Sequence, residues 1–341
     1  MLAAGTVVTL ESFSYRLEAQ LAGSAYGLVW RASRLPAGRQ VALKFVNQAQ
    51  MAQAAPGQQA RWIDGARDEA AFLRQLAPWD GRHIVRLLDA GSHAGLPVLA
   101  LELMEEDLGA WMARRRTDGA PCLASISNAF DWIGQINQAL AKVHQYGRRH
   151  LDLKPSNLLL GEGGAVIKLA DFGTSRTLAD LAPHDYAGTP NWQAPEQVFG
   201  AGYATDAADG DRVHVTCAAT DYFALGALLY YLVTGGTALR FCIDAAQAWR
   251  EARLGAAARL RSRHGGGYPP TLTQEEAALF VQRCDQGLGI GPGAPALALL
   301  RALLAFDPAA RPPHALAIAR MLAAVREAQD SHSSLPARRA A

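Results

Sequence analysis

The sequence predicts an α+β fold in which a small antiparallel-sheet lobe precedes a larger, mainly helical lobe. Residues 15–45 contain short apolar runs separated by turn signals at 23–24 and 36–38, which is typical of strands joined by tight turns. Beyond Asp107 the apolar residues recur mostly at helical spacing. The chain has 341 residues, 50% of them hydrophobic, which suffices for a sizeable core. Strands first and helices later favour one sheet-containing part and one helical part.

One helix is predicted within the strand-rich part. A Gln- and Ala-rich connection at 51–59 carries little pattern, and residues 61–76 then place their apolar side chains on one helical face. Further strands are predicted at 84–90 and 97–104. The helices predicted for the second part are 126–146, 222–234, 274–286, 296–305 and 314–328. The lobe boundaries follow as 15–103 and 104–328, with a polar, disordered tail at 329–341.

Charge and cysteine content exclude several classes of protein. A net charge of +2 and a pI of about 8.4 are too mild to indicate nucleic acid or an anionic membrane as a partner. The four cysteines are far apart and form no Cys-x-x-Cys pair, which argues against a disulfide scaffold or a zinc ribbon and favours a reducing compartment. The N-terminus lacks the basic start of a signal peptide, and we find no apolar window of about 18 residues. We therefore expect a cytoplasmic protein with no membrane segment.

Two short runs in the middle of the chain carry chemistry. The first reads His-Leu-Asp-Leu-Lys-Pro-Ser-Asn and supplies the carboxylate of Asp152, the ammonium of Lys154 and the amide of Asn157. The second reads Asp-Phe-Gly and supplies Asp171 on a turn that glycine lets bend sharply. Phosphoryl transfer needs a group that takes the hydroxyl proton, a cation on the moving phosphate and oxygen ligands for Mg²⁺. Asp152 can be the base, Lys154 the cation, and Asn157 with Asp171 the metal ligands.

These two runs resemble the catalytic loop and the magnesium loop of the eukaryotic-type (Hanks-type) serine/threonine protein kinase family. The resemblance covers 15–328 and implies a bilobal kinase fold with one regulatory helix in the sheet lobe. It also implies ATP as phosphate donor, Mg²⁺ or alternatively Mn²⁺ as the ion, and a protein substrate with a serine or threonine acceptor. The Lys-Pro pair at 154–155 and the Gly-Thr-Pro run at 188–190 are typical of the serine/threonine branch, in which Thr189 can bridge Asp152 and the lysine. The lysine-poor composition, with four lysines among 33 basic residues, favours a bacterial member.

The resemblance assigns nucleotide binding to the sheet lobe. Lys44 ends a Val-Ala-Leu-Lys strand, as does the family's lysine that holds the α- and β-phosphates. Residues 21–29 take the place of the glycine-rich loop, but the first two glycines of the family pattern fall at Ala22 and Ser24, and only Gly27 matches. Small residues let backbone N–H groups approach phosphate, although alanine and serine restrict positive φ. The residues expected to bind the nucleotide are Leu21, Ala22, Gly23, Ser24, Gly27, Val29, Ala42, Lys44, Leu101, Glu102, Met104 and Leu159.

Within that set, the adenine ring has its own expected contacts. By the same resemblance, Val29 and Ala42 would cover the ring from above and Leu159 would lie beneath it. Leu101 would guard the back of the pocket, and backbone groups at 102–104 would hydrogen-bond the edge of the adenine.

Lys44 needs a fixed counter-charge if it is to hold phosphate in one position. Glu69 lies on the predicted helix 61–76, and Asp68 is its competitor, one residue and about 100° around the helix. We favour Glu69, because Ala70 and Leu73 place it nearer the apolar face.

Three further residues match the family's scaffold. Glu196 closes an Ala-Pro-Glu run, and Arg311 is placed to form a buried ion pair with it. Asp221 resembles the aspartate at a helix start that holds the catalytic loop.

Leu151 departs from the family pattern. Many members have an arginine at this position, which pairs with a phosphate on the activation segment. We therefore hypothesise that the active arrangement does not require phosphorylation of that segment, whose candidate sites are Ser175, Thr177 and Tyr186.

Two other functions compete with an active protein kinase. The altered glycine loop motivates a pseudokinase that acts as a nucleotide-binding or scaffold module, against which the full set of catalytic residues argues. A small-molecule kinase is the second competitor, but such relatives usually lose the Gly-Thr-Pro and Ala-Pro-Glu segments that present a peptide. Residues 203–219 form an extra acidic stretch, which we interpret as a surface insertion in preference to a docking site or a calcium loop.

Overall fold

The computed structural model describes residues 2–24, 27–54, 56–117, 126–180, 188–200 and 216–333. The chain divides into two units. The first comprises Met1–Asp107 and Leu159–Ser175, and the second comprises Leu108–Leu158 and Arg176–Ala341.

A six-stranded antiparallel sheet forms most of the first unit. Its strands are β1 (Val7–Thr9), β2 (Ser14–Gly23), β3 (Gly27–Arg34), β4 (Gln40–Val46), β5 (Leu87–His93) and β6 (Leu96–Glu102). They lie in the order β1-β2-β3-β4-β6-β5, so β4 is central. Alternate side chains of these strands, among them Tyr15, Leu17, Leu43 and Phe45, form a buried cluster on one face.

Two helices and a smaller sheet complete this unit. The helices are α1 (Gln48–Met51) and α2 (Pro56–Gln75), and the buried residues of α2 are Glu69, Ala70, Phe72 and Leu73. The three strands of the smaller sheet are β7 (Glu106–Asp107), β9 (Leu158–Gly161) and β10 (Val166–Leu169). A parallel bridge between Ile84 and Leu169 ties residues 159–175 to the rest of the unit.

The second unit is mainly helical. Its helices are α3 (Leu108–Thr117), α4 (Ile126–Gln145), α5 (Pro195–Phe199), α6 (Ala218–Val233), α7 (Arg240–Ala252), α8 (Ala256–Arg263), α9 (Gln274–Leu288), α10 (Gly293–Leu303) and α11 (Ala315–Ser333). Helix α6 is apolar around most of its circumference, which is typical of a helix in the middle of a core. A two-stranded antiparallel ladder joins β8 (Arg148–Arg149) to β11 (Arg176–Thr177).

The predicted α+β class, with an antiparallel sheet followed by helices, is confirmed. Helix α2 begins at Pro56, five residues before the predicted start, because proline is well tolerated in the first turn of a helix. Helix α11 continues to Ser333, past the predicted helix end at residue 328, because Ala328 and Gln329 are good helix formers and extend it. Tyr186, Cys122, residues 334–341 and most of the 203–219 stretch lie outside the described residues.

Candidate active site

In the first unit, Lys44 binds two carboxylates. Its Nζ atom lies 2.6 Å from Glu69 Oε2 and 2.8 Å from Asp171 Oδ1. Glu69 is buried on α2, whereas Asp68 is exposed, so the structure brings Lys44 together with the favoured partner. Burial alone would lower the pKa of Lys44, but the charges of Asp171 and Glu69 outweigh it and raise this pKa. The ammonium group is therefore held in its charged form.

Helix α2 also fixes the Asp-Phe-Gly turn. The main-chain N–H of Phe172 donates to Glu69 Oε1 at 3.1 Å, and the rings of Phe72 and Phe172 pack with centroids 4.8 Å apart. A Cβ atom on Gly65 would lie 2.7 Å from the carbonyl oxygen of Gly173, so only glycine permits this approach of helix and turn. The turn that carries Asp171 is thus positioned by the helix that carries Glu69.

Several of the residues predicted to bind the nucleotide lie on one face of the six-stranded sheet. Ala42 and Lys44 are two residues apart on β4 and therefore share a face. In the antiparallel register Val29 lies opposite Lys44, and Ala22 lies opposite Val29, while Leu101 lies opposite Ala42. Residues directly opposite each other point to the same side of a sheet. This face presents small and apolar groups around one ammonium.

The loop between β2 and β3 is closed by Ser24. Its N–H donates to the carbonyl oxygen of Gly27 at 2.8 Å, and the N–H of Gly27 donates to its hydroxyl oxygen at 3.1 Å. The Nδ2 atom of Asn47 donates to the Ser24 carbonyl oxygen at 2.7 Å. The Ser24 hydroxyl therefore accepts a hydrogen bond that a glycine at this position could not accept, and a buried asparagine after β4 ties the loop down.

The remaining predicted nucleotide residues lie in three places, at and after the end of β6, on β9 and on β2. The Glu102 carboxylate accepts from Lys168 Nζ at 2.7 Å and from Arg86 Nε at 3.1 Å, which fixes this stretch of chain. Met104 follows two residues later, and Leu159 lies on β9. Gly23 ends β2, and Leu21, on the same strand, is 43% exposed.

In the second unit, Asp152 lies at the centre of a compact polar group. Lys154 Nζ donates to Asp152 Oδ2 at 2.7 Å, and the Thr189 hydroxyl donates to Asp152 Oδ1 at 2.8 Å. Lys154 also donates to Thr189 Oγ1 at 2.7 Å, so the predicted bridge by Thr189 is present. Asn157 Nδ2 donates to the Asp152 carbonyl oxygen at 2.9 Å. Both oxygens of the carboxylate are oriented before any substrate arrives.

Asp221 holds the backbone of this loop. Its Oδ2 accepts from the His150 N–H and its Oδ1 from the Leu151 N–H, both at 2.8 Å, and His144 Nε2 lies 2.9 Å from Oδ2. Burial alone would raise the pKa of Asp221, but His144 and His150 outweigh it and hold that pKa below its usual value. A buried carboxylate thus keeps the loop in one conformation, in which Leu151 has a φ of 67°.

A buried ion pair ties the Ala-Pro-Glu run to the end of the chain. Arg311 Nη1 and Nη2 lie 2.7 and 2.8 Å from the two carboxylate oxygens of Glu196. Neither side chain is exposed. This bidentate geometry is the strongest form that an arginine–carboxylate contact takes.

The chemistry of Asn157 and Asp171 fits a magnesium ion. Amide and carboxylate oxygens are both hard ligands that Mg²⁺ accepts. Because the Asn157 amide nitrogen donates to Asp152, the amide oxygen is the atom left for a ligand role. Asn157 belongs to the second unit and Asp171 to the first.

Three residues that contact the predicted site segments carry no motif in the sequence. Asn47 and Gly65 were missed, because their partners lie 23 and 108 residues away in the chain. Arg149 was missed because arginine side chains are mostly exposed, whereas this one is fully buried. A glycine inside an amphipathic helix was the one available signal for Gly65.

The chain belongs to the protein kinase domain family, whose sequence model matches residues 15–321. Among curated proteins it is similar to serine/threonine-protein kinase ppk11 of Schizosaccharomyces pombe, with 30% identity over 237 residues, 66% of this chain and 64% of that protein. It is 29% identical to the delta subunit of calcium/calmodulin-dependent protein kinase type II of Oryctolagus cuniculus over 243 residues, 69% of this chain and 39% of that protein. It is 35% identical to cyclin-dependent kinase F-1 of Oryza sativa subsp. japonica over 173 residues, 50% of this chain and 32% of that protein.

The matched regions span between about a third and just under two thirds of each relative's length. The predicted membership of the protein kinase family is confirmed. No helix in the described parts of the chain combines the length and the apolar character needed to cross a lipid bilayer.

Proposed function

We propose that the chain transfers the γ-phosphoryl group of ATP to serine or threonine hydroxyls of a protein substrate. The observation that carries the proposal is the polar group around Asp152, in which Lys154 and Thr189 each hold the carboxylate at hydrogen-bond distance. A general base must be held in line with the proton that it accepts, and this carboxylate is restrained at both oxygens.

The proposed roles in the second unit follow from this arrangement. Asp152 accepts the proton of the incoming hydroxyl, late in a loose transition state, so its position matters more than its basicity. Lys154 stabilises negative charge on the moving phosphoryl group, and Thr189 bonds to both Lys154 and Asp152 and so fixes their relative position. The catalytic loop stays rigid because Asp221 holds two of its N–H groups.

The proposed roles in the first unit concern the nucleotide. Lys44, charged and fixed between Glu69 and Asp171, binds the phosphates, and the face formed by Ala22, Val29, Ala42 and Leu101 receives the adenine. Leu101, Glu102, Met104 and Leu159 complete the adenine contacts. The phosphates are covered by residues of the loop between β2 and β3 and its flanks, namely Leu21, Ala22, Gly23, Ser24 and Gly27.

Mg²⁺ would be held by Asn157 and Asp171, and it would neutralise charge on the phosphate oxygens. The donor types support this assignment. With Mn²⁺ as an alternative, the same two ligands would serve.

A serine or threonine acceptor is favoured by two features. The Lys154 and Thr189 pair links the catalytic loop to the Gly-Thr-Pro run, and the Glu196–Arg311 ion pair supports the Ala-Pro-Glu run that follows it. The names of the curated relatives include serine/threonine-protein kinase. A small-molecule acceptor would not need these peptide-presenting segments.

A cytoplasmic location is part of the proposal. It is supported by the four cysteines, which are far apart in the sequence and form no Cys-x-x-Cys pair.

The test is transfer of labelled γ-phosphate, in the presence of Mg²⁺, to the protein itself and to a generic basic protein. Wild type is compared with Asp152→Asn and Lys44→Ala, and with Lys142→Ala as a control, since Lys142 is a lysine outside both groups. We expect label in the wild type and the control, recovered as phosphoserine or phosphothreonine, and its loss in the other two variants. Nucleotide binding without transfer in the wild type would instead support the pseudokinase, with Ala22 and Ser24 as the cause to pursue.

A further inference from the structure

Arg149 is a fully buried arginine at the edge of the catalytic loop. It is among the largest side chains in the described residues that have essentially no solvent exposure. Removing a guanidinium from water costs several kcal/mol unless hydrogen bonds and charges compensate. A residue of this kind is retained only where its surroundings are built to receive it.

Two main-chain carbonyls from residues 176–180 accept hydrogen bonds from the Arg149 guanidinium. Arg149 Nη1 donates to the Thr177 carbonyl oxygen at 2.9 Å, and Nη2 donates to the Asp180 carbonyl oxygen at 2.6 Å. Burial lowers the pKa of Arg149, and the charges of Asp180 and Asp221 oppose this. The planar fork of an arginine can reach two such acceptors at once, which a lysine cannot do with the same geometry.

The backbone of the same segment is also bound to the strand that carries Arg149. Strands β8 and β11 pair with Arg149 opposite Arg176, and the Leu178 N–H donates to the Gly147 carbonyl oxygen at 2.7 Å. The Asp180 N–H donates to the Thr177 carbonyl oxygen at 3.2 Å and closes a turn, so the two acceptors of Arg149 come close together. The guanidinium holds this turn.

These contacts do not depend on modification of the segment. The acceptors are peptide carbonyls, and the Thr177 hydroxyl is not the group that Arg149 binds. Leu151, two residues further along the loop, is buried and uncharged. An arginine that held the segment by binding a phosphate group could do so only after the segment was phosphorylated. Arg149 instead binds main-chain carbonyl oxygens, which are present whether or not the segment is phosphorylated.

We propose that Arg149 is a positioning residue that anchors residues 176–180 to the catalytic loop through their main-chain carbonyls, so that the ordering of this segment needs no phosphate. The inference rests on the proposed kinase function, because one of its tests measures kinase activity. It goes beyond that function by assigning to the Arg149 guanidinium the ordering role that a phosphate on the segment would otherwise have.

The experiment compares the wild-type chain of 341 residues with Arg149→Met, Arg149→Lys and the control Arg176→Met. Arg176 is an exposed arginine on the same ladder, so the control removes an equal charge without touching the buried contacts. Three quantities are measured: hydrogen exchange of the Leu178 and Asp180 amides, kcat/KM for a protein substrate before and after phosphatase treatment, and the Kd of Mg-ATP.

We expect phosphatase treatment to change wild-type kcat/KM by less than about threefold. Arg149→Met should lower kcat/KM at least about tenfold, which corresponds to about 1.4 kcal/mol of transition-state stabilisation, with a change in Kd of less than about threefold. Exchange should accelerate at residues 176–180 and remain slow in α6. The kcat/KM and the exchange rates of Arg149→Lys should lie between those of wild type and Arg149→Met. If the methionine variant does not fold, the comparison of Arg149→Lys with wild type tests the inference.

Three results would overturn the inference. The first is that Arg149→Met and Arg176→Met have equal kcat/KM and equal exchange rates, and the second is that the wild type loses most of its activity after phosphatase treatment. The third is faster exchange throughout α6 in Arg149→Met, which would indicate a general structural role for Arg149. If the wild type transfers no phosphate at all, the proposed kinase function fails, and the exchange data alone decide whether Arg149 anchors the segment.

Discussion

Replacing Arg311 by methionine removes the centre of a fully buried network in the second unit. Its guanidinium donates to both oxygens of Glu196 and to the carbonyl oxygens of Ala305, Ala219 and Phe306, so all of its N–H groups are used. Methionine has a similar length and fills much of the space without a charge. The substitution therefore isolates the loss of the electrostatic and hydrogen-bond contribution.

The expected cost follows from what remains behind. The Glu196 carboxylate would stay out of water without its cation, and breaking a buried pair in this way costs about 3–5 kcal/mol. For a unit of this size each kcal/mol lowers the melting temperature by about 2–4 °C, so we expect a fall of about 6–20 °C. Arg311→Met combined with Glu196→Met should cost less than the single change, because no unpaired charge is left.

Thermal unfolding followed by circular dichroism measures this effect. Arg326→Met is the control, since Arg326 pairs with Asp131 at 2.8 Å on the surface, with both side chains about half exposed. An exposed pair contributes about 0–1 kcal/mol, so the control should unfold close to wild type. The reasoning is refuted if Arg311→Met and Arg326→Met lower the melting temperature equally, or if the double variant is less stable than Arg311→Met.

Three further predictions concern the site. Thr189→Val should lower kcat about 10- to 100-fold with little change in the KM for ATP, because Asp152 loses a donor that orients it; a kcat within twofold of wild type in steady-state assays contradicts this. Asn47→Ala should raise the KM for ATP about 2- to 10-fold by removing the hydrogen bond to Ser24, and an unchanged KM would disprove the loop anchor. The pKa of Asp221 is held below its ordinary 3.8, so its contribution to stability is present at neutral pH and is lost as pH falls through the folded-state pKa. Asp221→Asn should therefore lower the melting temperature at pH 7, and the melting temperature of this variant should fall less than that of the wild type as the pH is lowered. Melting temperatures of the two proteins that fall in parallel from pH 7 to pH 3 would contradict this.

The catalytic residues could be predicted because their chemistry is local in sequence. Asp152, Lys154 and Asn157 lie in one run of six residues, and phosphoryl transfer restricts each of them to a particular type of side chain. The choice of Glu69 over Asp68 also came from a local pattern, since helical periodicity separates a buried residue from an exposed neighbour.

Contacts between distant residues could not be predicted in the same way. Gly65 matters because the Gly173 carbonyl approaches it, and nothing around residue 65 indicates that neighbour. Arg149 is buried because carbonyls about thirty residues further along surround it, which overrides the usual preference of arginine for the surface. The first and last residues of helices could not be predicted for a related reason, because they depend on tertiary packing as well as on the local capping residues.

Nucleotide binding and phosphate transfer, measured on the same samples of wild type and Asp152→Asn, test the account most directly. The Kd values of the two proteins for Mg-ATP should agree within about threefold, because Asp152 is proposed to accept the proton of the acceptor hydroxyl, whereas Lys44 is proposed to bind the phosphates. Transfer to serine or threonine should fall by about 10²- to 10⁴-fold, the usual contribution of a general base. Transfer in Asp152→Asn at the wild-type rate, or ATP binding without any transfer in the wild type, would contradict the account.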